Sequence, residues 1–176
     1  AKIEGFHFDS RKHTLEYDNV MNHQRKVVYG RRRLMLEGTH EDIENFINDL
    51  SIDYPELTDI VVEKRAAVGD SSFFETVRRI SLYTTDTLWV EHLETMEYTR
   101  SSVNLRAYGQ REPLIEYKKD GLRLFKEMEA MFKEQVSSLI KSMANTLSEQ
   151  PTTAVESRPT LILNASDGTS NSPTVS

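Results

Sequence analysis

Two amphipathic stripes joined by one short turn constrain this chain more than any other feature. Between residues 77 and 143, apolar and aromatic side chains recur at three- and four-residue steps. The first stripe holds Val77, Ile80, Leu88, Trp89, Leu93, Met96 and Val103, with Glu91, Glu94 and Glu97 off its line. The second holds Leu114, Tyr117, Leu122, Phe125, Met128, Phe132, Val136, Leu139 and Met143. Residues 105–113 lie between them and read LRAYGQREP. Gly109 permits a left-handed backbone, and Pro113 suits the first turn of a new helix. Two long helices joined this briefly fold back antiparallel and bury their stripes together. Leu88, Trp89, Leu93 and Met96 are then expected on Phe125, Met128, Phe132 and Val136. The turn presents Arg106, Tyr108 and Arg111. A tyrosine there has few neighbours to pack on, so a contact role is favoured for Tyr108 over a folded-back turn residue.

The segment before this hairpin divides in two. Residues 3 to about 36 read as one helix, without proline, on a stripe of Phe8, Leu15, Val20 or Met21, Val27 or Val28, and Leu34 or Met35. Some 30 residues span roughly 45 Å, more than a small domain needs for its own core. Such a helix braces several neighbours. Between Thr39 and Glu75 the chain changes character, with ten acids against two bases. The net charge of the whole is −6, so everything outside this stretch is slightly basic. Thr39 with Asp42 makes a capping box before a short helix over 43–50, and Tyr54-Pro55 breaks it. Residues 57–63 read as a second short helix, or as a strand given Ile60-Val61-Val62. Gly69 and Asp70 end that unit, and Ser72 with Glu75 forms a second capping box that opens the hairpin.

Beyond Ala144, Ser, Thr, Asn and Pro dominate, and neither lysine nor an aromatic occurs. Such a stretch buries too little apolar surface to offset the entropy of ordering, so 144–176 is expected to be disordered. Its apolar island, Leu161-Ile162-Leu163, reads as a chance cluster.

Composition excludes several classes. The chain has 176 residues, 38% hydrophobic and 28% charged, enough for one modest domain and a tail. No apolar run has the length of a membrane span, and no signal-peptide core is visible. There is no cysteine, hence neither disulfide nor thiolate metal site. No glycine-rich loop ending in Lys-Ser/Thr offers a phosphate cradle. The histidines His7, His13, His23, His40 and His92 form no HExxH pattern, and His92 beside Trp89 and Leu93 reads as a packing residue. Trp89 itself reads as core. Arg25, Lys26, Arg31, Arg32 and Arg33 cluster near the end of the first helix. They would suit anionic lipid, but a solvated face with favourable charge at a helix end is the simpler reading. Overall acidity argues against nucleic acid.

Two stretches carry a resemblance. Leu88-Trp89-Val90-Glu91-His92-Leu93, followed by 105–118 (LRAYGQREPLIEYK), resembles the two-helix finger of the SecA protein-translocation ATPases, whose pattern runs LWxEHL and then LRGYAQRDPxxEYK. Residues 3–13 (IEGFHFDSRKH) and 15–20 (LEYDNV), with Asn22, Gln24, Arg25 and Tyr29, are similar to that family's long scaffold helix. Thr14 and Asn19 stand where the family has Leu and Asp. Ala107 and Gly109 reverse the family's order around the turn tyrosine.

The resemblance covers 1–38 and 76–143. It implies an all-α fold: a long scaffold helix (1–38), an acidic insert (39–75) in place of the family's larger wing, an antiparallel two-helix finger (76–143) and a disordered tail (144–176). It implies a C-terminal fragment of a motor that hydrolyses ATP to push unfolded preproteins through the SecY channel. Tyr108, with Arg106, Gly109 and Arg111, would touch the moving polypeptide. ATP and magnesium would belong to upstream motor domains, and this chain alone would be inactive, with no cofactor or metal of its own. The partners implied are those domains, the SecY complex, the unfolded preprotein and, on the basic cluster, anionic lipid, but not nucleic acid. The place implied is the cytoplasmic face of the cell membrane. Many members end in a zinc-binding segment that this chain has no cysteine to build. From pattern alone, the alternative is a stand-alone helical interaction module.

Overall fold

The computed structural model describes the backbone of residues 2–106 and 112–143 and the side chains of 11–12, 14–103 and 112–143. Within these residues the fold is all helical. Five helices follow one another: α1 (Lys2–Glu37), α2 (His40–Asp53), α3 (Leu57–Val68), α4 (Asp70–Arg106) and α5 (Pro113–Ser142). The predicted tail (144–176, with Leu161-Ile162-Leu163) and the turn lie outside the described residues, as does the side chain of Phe8.

α1 has 36 residues, and at 1.5 Å per residue it is about 54 Å long. Its buried line is Tyr17, Gln24, Val28 and Met35, spaced seven, four and seven apart. Leu15, expected on this line, is 60% exposed, and Tyr17 takes its place. The end of α1 would leave carbonyls unpaired. Arg78 of α4 supplies the donors: its guanidinium donates to Met35 O at 2.7 Å, to Thr39 O at 3.2 Å and to Gly38 O. A cation at this end also complements the helix dipole.

α2 opens on the expected capping box. The Asp42 amide donates to Thr39 Oγ1 at 3.2 Å and the Thr39 amide to Asp42 Oδ2 at 2.7 Å. The Ile60-Val61-Val62 run is helical, not a strand. Leu57, Val61 and Lys64 fall on one buried face at a helix's four- and three-residue steps, while Val62 points outward. The Lys64 ammonium donates to Met143 O at 2.5 Å, just past the end of α5.

The second capping box does not form, because α4 begins earlier. Gly69 takes φ +81°, a conformation that favours glycine, and the helix restarts at once with Asp70. Ser72 and Glu75 are therefore inside the helix, where the Ser72 carbonyl accepts from Thr76 and Glu75 pairs with Arg79.

α2 and α3 are not a separate unit. Ile43, Ile47, Leu50, Leu57 and Val61 share one core with Phe73, Phe74 and Val77 of α4 and Phe132, Val136 and Ile140 of α5. Three ion pairs reinforce this root: Asp53 with Lys133, Glu56 with Lys141 at 2.6 Å, and Arg65 with Glu44 at 2.6 Å. Three acids of this segment, Glu44, Asp53 and Glu56, thus pair with bases on α3 and α5.

Candidate functional site

The candidate site is the α4–α5 hairpin and its turn. Val103 and Leu114 lie in one apolar cluster near the turn, and Val77 and Ile140 lie in another at the far end. That pairing makes the two arms antiparallel, as the stripes predict. Leu88 and Trp89 are buried with Phe125, Met128, Phe132 and Val136, also as predicted. The stripes err by a residue in places. Leu93, Leu122 and Leu139 are exposed, while Gly121, Ser137 and Ile140 are buried. Met96 packs with Tyr17, Val103, Leu114 and Tyr117 rather than with the Trp89 group. Each arm faces α1 as well as its partner, so a single heptad line does not describe its buried surface.

Near the turn the hairpin is held to α1. The rings of Tyr17 and Tyr117 are 4.8 Å apart and tilted by 52°. Arg100 lies over the Tyr17 ring at 5.2 Å and reaches Asp18 at 3.8 Å, and Lys118 pairs with Glu16 at 2.9 Å. Burial raises the hydroxyl pKa of both tyrosines above its usual value, and Arg100 opposes the rise.

Of the predicted contact residues, Arg106 is the last residue of α4, and its side chain lies outside the described set. Tyr108, Gly109 and Arg111 lie outside the described residues altogether. The structure brings together the arms that carry them.

Three bases of the run on α1 are paired with acids of α1, α4 and α5. Arg31 pairs with Glu129 of α5 and stacks over the Phe132 ring at 3.9 Å. Arg32 pairs with Asp86 of α4 at 3.0 Å and Arg33 with Glu37 at 3.8 Å. Three of the five bases thus serve helix packing or the local surface.

Sequence reasoning missed the polar centre. Gln24, 3% exposed, meets His92 Nε2 of α4 at 2.9 Å through Oε1 and donates from Nε2 to Gly121 O of α5 at 3.0 Å. The His92 ring stacks on Trp89, with centroids 5.7 Å apart. The available signal was a glutamine seven residues along the buried line from Tyr17. Burial pushes the His92 pKa down, and the Glu129 carboxylate opposes this more weakly. The unfolded chain then binds the proton more tightly than the folded one. Stability from this group is complete above the ordinary histidine value near 6.5. It is lost as pH falls from there toward the lower folded value. Thermal unfolding should show a lower Tm at pH 5.5 than at pH 7.5, and His92→Gln should flatten that difference.

Among the described residues, no group of three His, Cys, Asp or Glu side chains is placed to hold a metal ion.

The family model of the SecA Wing and Scaffold domain matches residues 1–67 and 54–144. The chain belongs to the SecA wing and scaffold family. Individual SecA proteins are similar to it as well. The protein translocase subunit SecA of Francisella tularensis subsp. holarctica (strain OSU18) is 31% identical over 199 residues, which cover 80% of this chain and 22% of that protein. The SecA of F. tularensis subsp. novicida (strain U112) gives the same figures. The chain thus spans about a fifth of the length of these SecA relatives. The matched stretch is 199 residues long, yet 80% of this 176-residue chain is only about 141. The SecA relatives therefore hold residues within that stretch that have no counterpart here.

Proposed function

We propose that this chain is the scaffold and two-helix finger of a SecA-type protein translocase subunit. Its turn, with Arg106, Tyr108, Gly109 and Arg111, touches the unfolded polypeptide being moved. The parent protein binds ATP and magnesium in domains outside this chain and couples hydrolysis to passage through the SecY channel. It works at the cytoplasmic face of the membrane, and in this chain none of the described helices is long and apolar enough to cross a membrane. The α2–α3 segment stands where the family carries a larger wing. The length difference from the relatives supports this, and so does the overlap of the two family matches at 54–67.

One observation carries the reading. The arms of the hairpin are packed on each other and on α1, and their root is clamped by α2 and α3. A turn held on so stiff a support can transmit force to whatever it touches. An adhesive turn on a stiff lever is what moving an arbitrary polypeptide requires.

The test is a photo-crosslinking residue at position 108 in the full-length protein, with a preprotein stalled in membrane vesicles. An adduct with the preprotein is expected. The same probe at position 83, near the hairpin root and 72% exposed, should give none. Adducts from position 83 but not from 108 would overturn the assignment of the turn.

A further inference from the structure

The hairpin has two apolar cores rather than one. The first joins α2 and α3 to the root of the hairpin and runs along it as far as Trp89 and Met128. The second lies toward the turn and holds Tyr17, Met96, Val103, Leu114 and Tyr117. Gln24, His92 and Gly121 sit between them on all three helices. In α1, Gln24 falls between Tyr17 and Val28; in α4, His92 falls between Trp89 and Met96; in α5, Gly121 falls between Tyr117 and Met128. A polar layer therefore lies between the two cores, which only the half-buried Met21 of α1 touches in common among the described residues.

The layer has a defined hydrogen-bond sense. The Gln24 amide must turn its NH2 toward the Gly121 carbonyl, because the flipped amide would set two oxygens against each other. Oε1 is then left to accept, so neutral His92 carries its proton on Nε2. The ring cannot turn away, since Trp89 stacks on it and Phe125 lies 5.7 Å off at 57°. The approach is close because position 121 has no side chain. A Cβ there would meet Met96 Cε at 2.8 Å and Val20 Cγ1 at 3.4 Å. One side chain of α1 thus bonds both arms at a single level, where a shift of either arm along α1 would break a bond. Buried polar pairs are well suited to setting register, because every slipped arrangement leaves a desolvated donor unpaired.

We propose that Gln24 is the positioning residue of the finger: through His92 Nε2 and Gly121 O it fixes the turn-bearing half of the hairpin against the scaffold helix. The root is held independently by Arg78, Lys64 and the first core. Losing Gln24 should therefore loosen the turn-bearing half and leave the root unchanged. Its consequence for transport rests on the function proposed above; its consequence for geometry does not.

The test uses the full-length protein with paired spin labels on exposed positions. One pair, 27 and 83, reports on the root, and the other, 15 and 98, reports on the turn-bearing half. Gln24→Leu should broaden or split the 15–98 distance distribution and leave the 27–83 distribution as it was. Transport per ATP hydrolysed should fall about tenfold, a typical size for lost coupling between sites. Gln24→Leu with His92→Leu removes both partners, and much of the melting temperature should return because no buried donor is left unpaired. The 15–98 distribution should stay broad in that double variant. If both distributions are unchanged in Gln24→Leu, or if the double variant restores the narrow 15–98 distribution, Gln24 serves packing alone and the proposal fails. If the distribution broadens in a protein that transports nothing even unmutated, the positioning role stands and the translocase reading fails.

Discussion

Trp89→Ala should cost about 3–5 kcal/mol, the range for emptying a buried aromatic site. Trp89 is 7% exposed and belongs to the core that unites α1, α4 and α5. Tyr29 of α1 meets it in a T-shaped contact at 6.4 Å and 72°, and His92 stacks on it. Alanine would remove these contacts and loosen the support that holds His92 toward Gln24. The loss therefore combines cavity and polar terms, and the upper half of the range is expected. In a domain of this size the melting temperature should fall by about 10–20 °C. Tyr83→Ala lies on the same helix but at an exposed position, and should stay within about 0.5 kcal/mol of the parent. As the only tryptophan, Trp89 also reports directly. Its emission should be that of an indole shielded from water. Fluorescence typical of a solvated indole, or a Trp89→Ala loss no larger than that of Tyr83→Ala, would falsify the packing described here.

The elements were legible in the sequence because their signals are local. A capping box at Thr39–Asp42, a break at Tyr54-Pro55 and a glycine at 69 act within a turn of where they stand. The hairpin was legible because two stripes and a short connection leave few alternatives. The errors share a physical cause. Leu15, Leu93, Leu122 and Leu139 fit a single apolar line, yet a helix with several neighbours buries more than one line. Geometry then exposes some leucines and buries Gln24, Gly121 and Ser137 instead. Partner choice was equally hidden. Arg31, Arg32 and Arg33 find Glu129, Asp86 and Glu37, and nothing in the order of residues ranks these above the acids that follow at 41–63. The start of α4 was misplaced because Ser72–Glu75 has the right residue types, while Gly69 had already turned the chain. At the candidate site, the composition of the turn and its resemblance to SecA were readable. The level at which α1 grips both arms was not, since it depends on three residues far apart in the chain.

Replacing Tyr108 should separate transport from ATP hydrolysis. A translocating chain presents every kind of side chain in succession, so the contact that moves it must be weak and indifferent to sequence. An aromatic ring with a hydroxyl at its edge meets that demand, since the face accepts apolar groups and the edge accepts polar ones. The neighbouring Arg106 and Arg111 add charge without adding shape. Substitutions in the full-length protein should then sort by whether a ring remains. Tyr108→Phe and Tyr108→Trp should keep most of the uptake of preprotein into membrane vesicles. Tyr108→Ala should lose on the order of tenfold or more, the size of a lost contact worth 1–2 kcal/mol. Tyr108→Asp should lose at least as much, because a desolvated carboxylate opposes contact with apolar segments. Phosphate release in the absence of preprotein should stay near that of the parent for all four variants. The hairpin itself should be unaffected, because its arms are held by the two cores and by α1. Unchanged unfolding temperatures would confirm that the variants report on contact alone. If Tyr108→Ala takes up preprotein at the parental rate, the turn is only a connector and force reaches the polypeptide elsewhere.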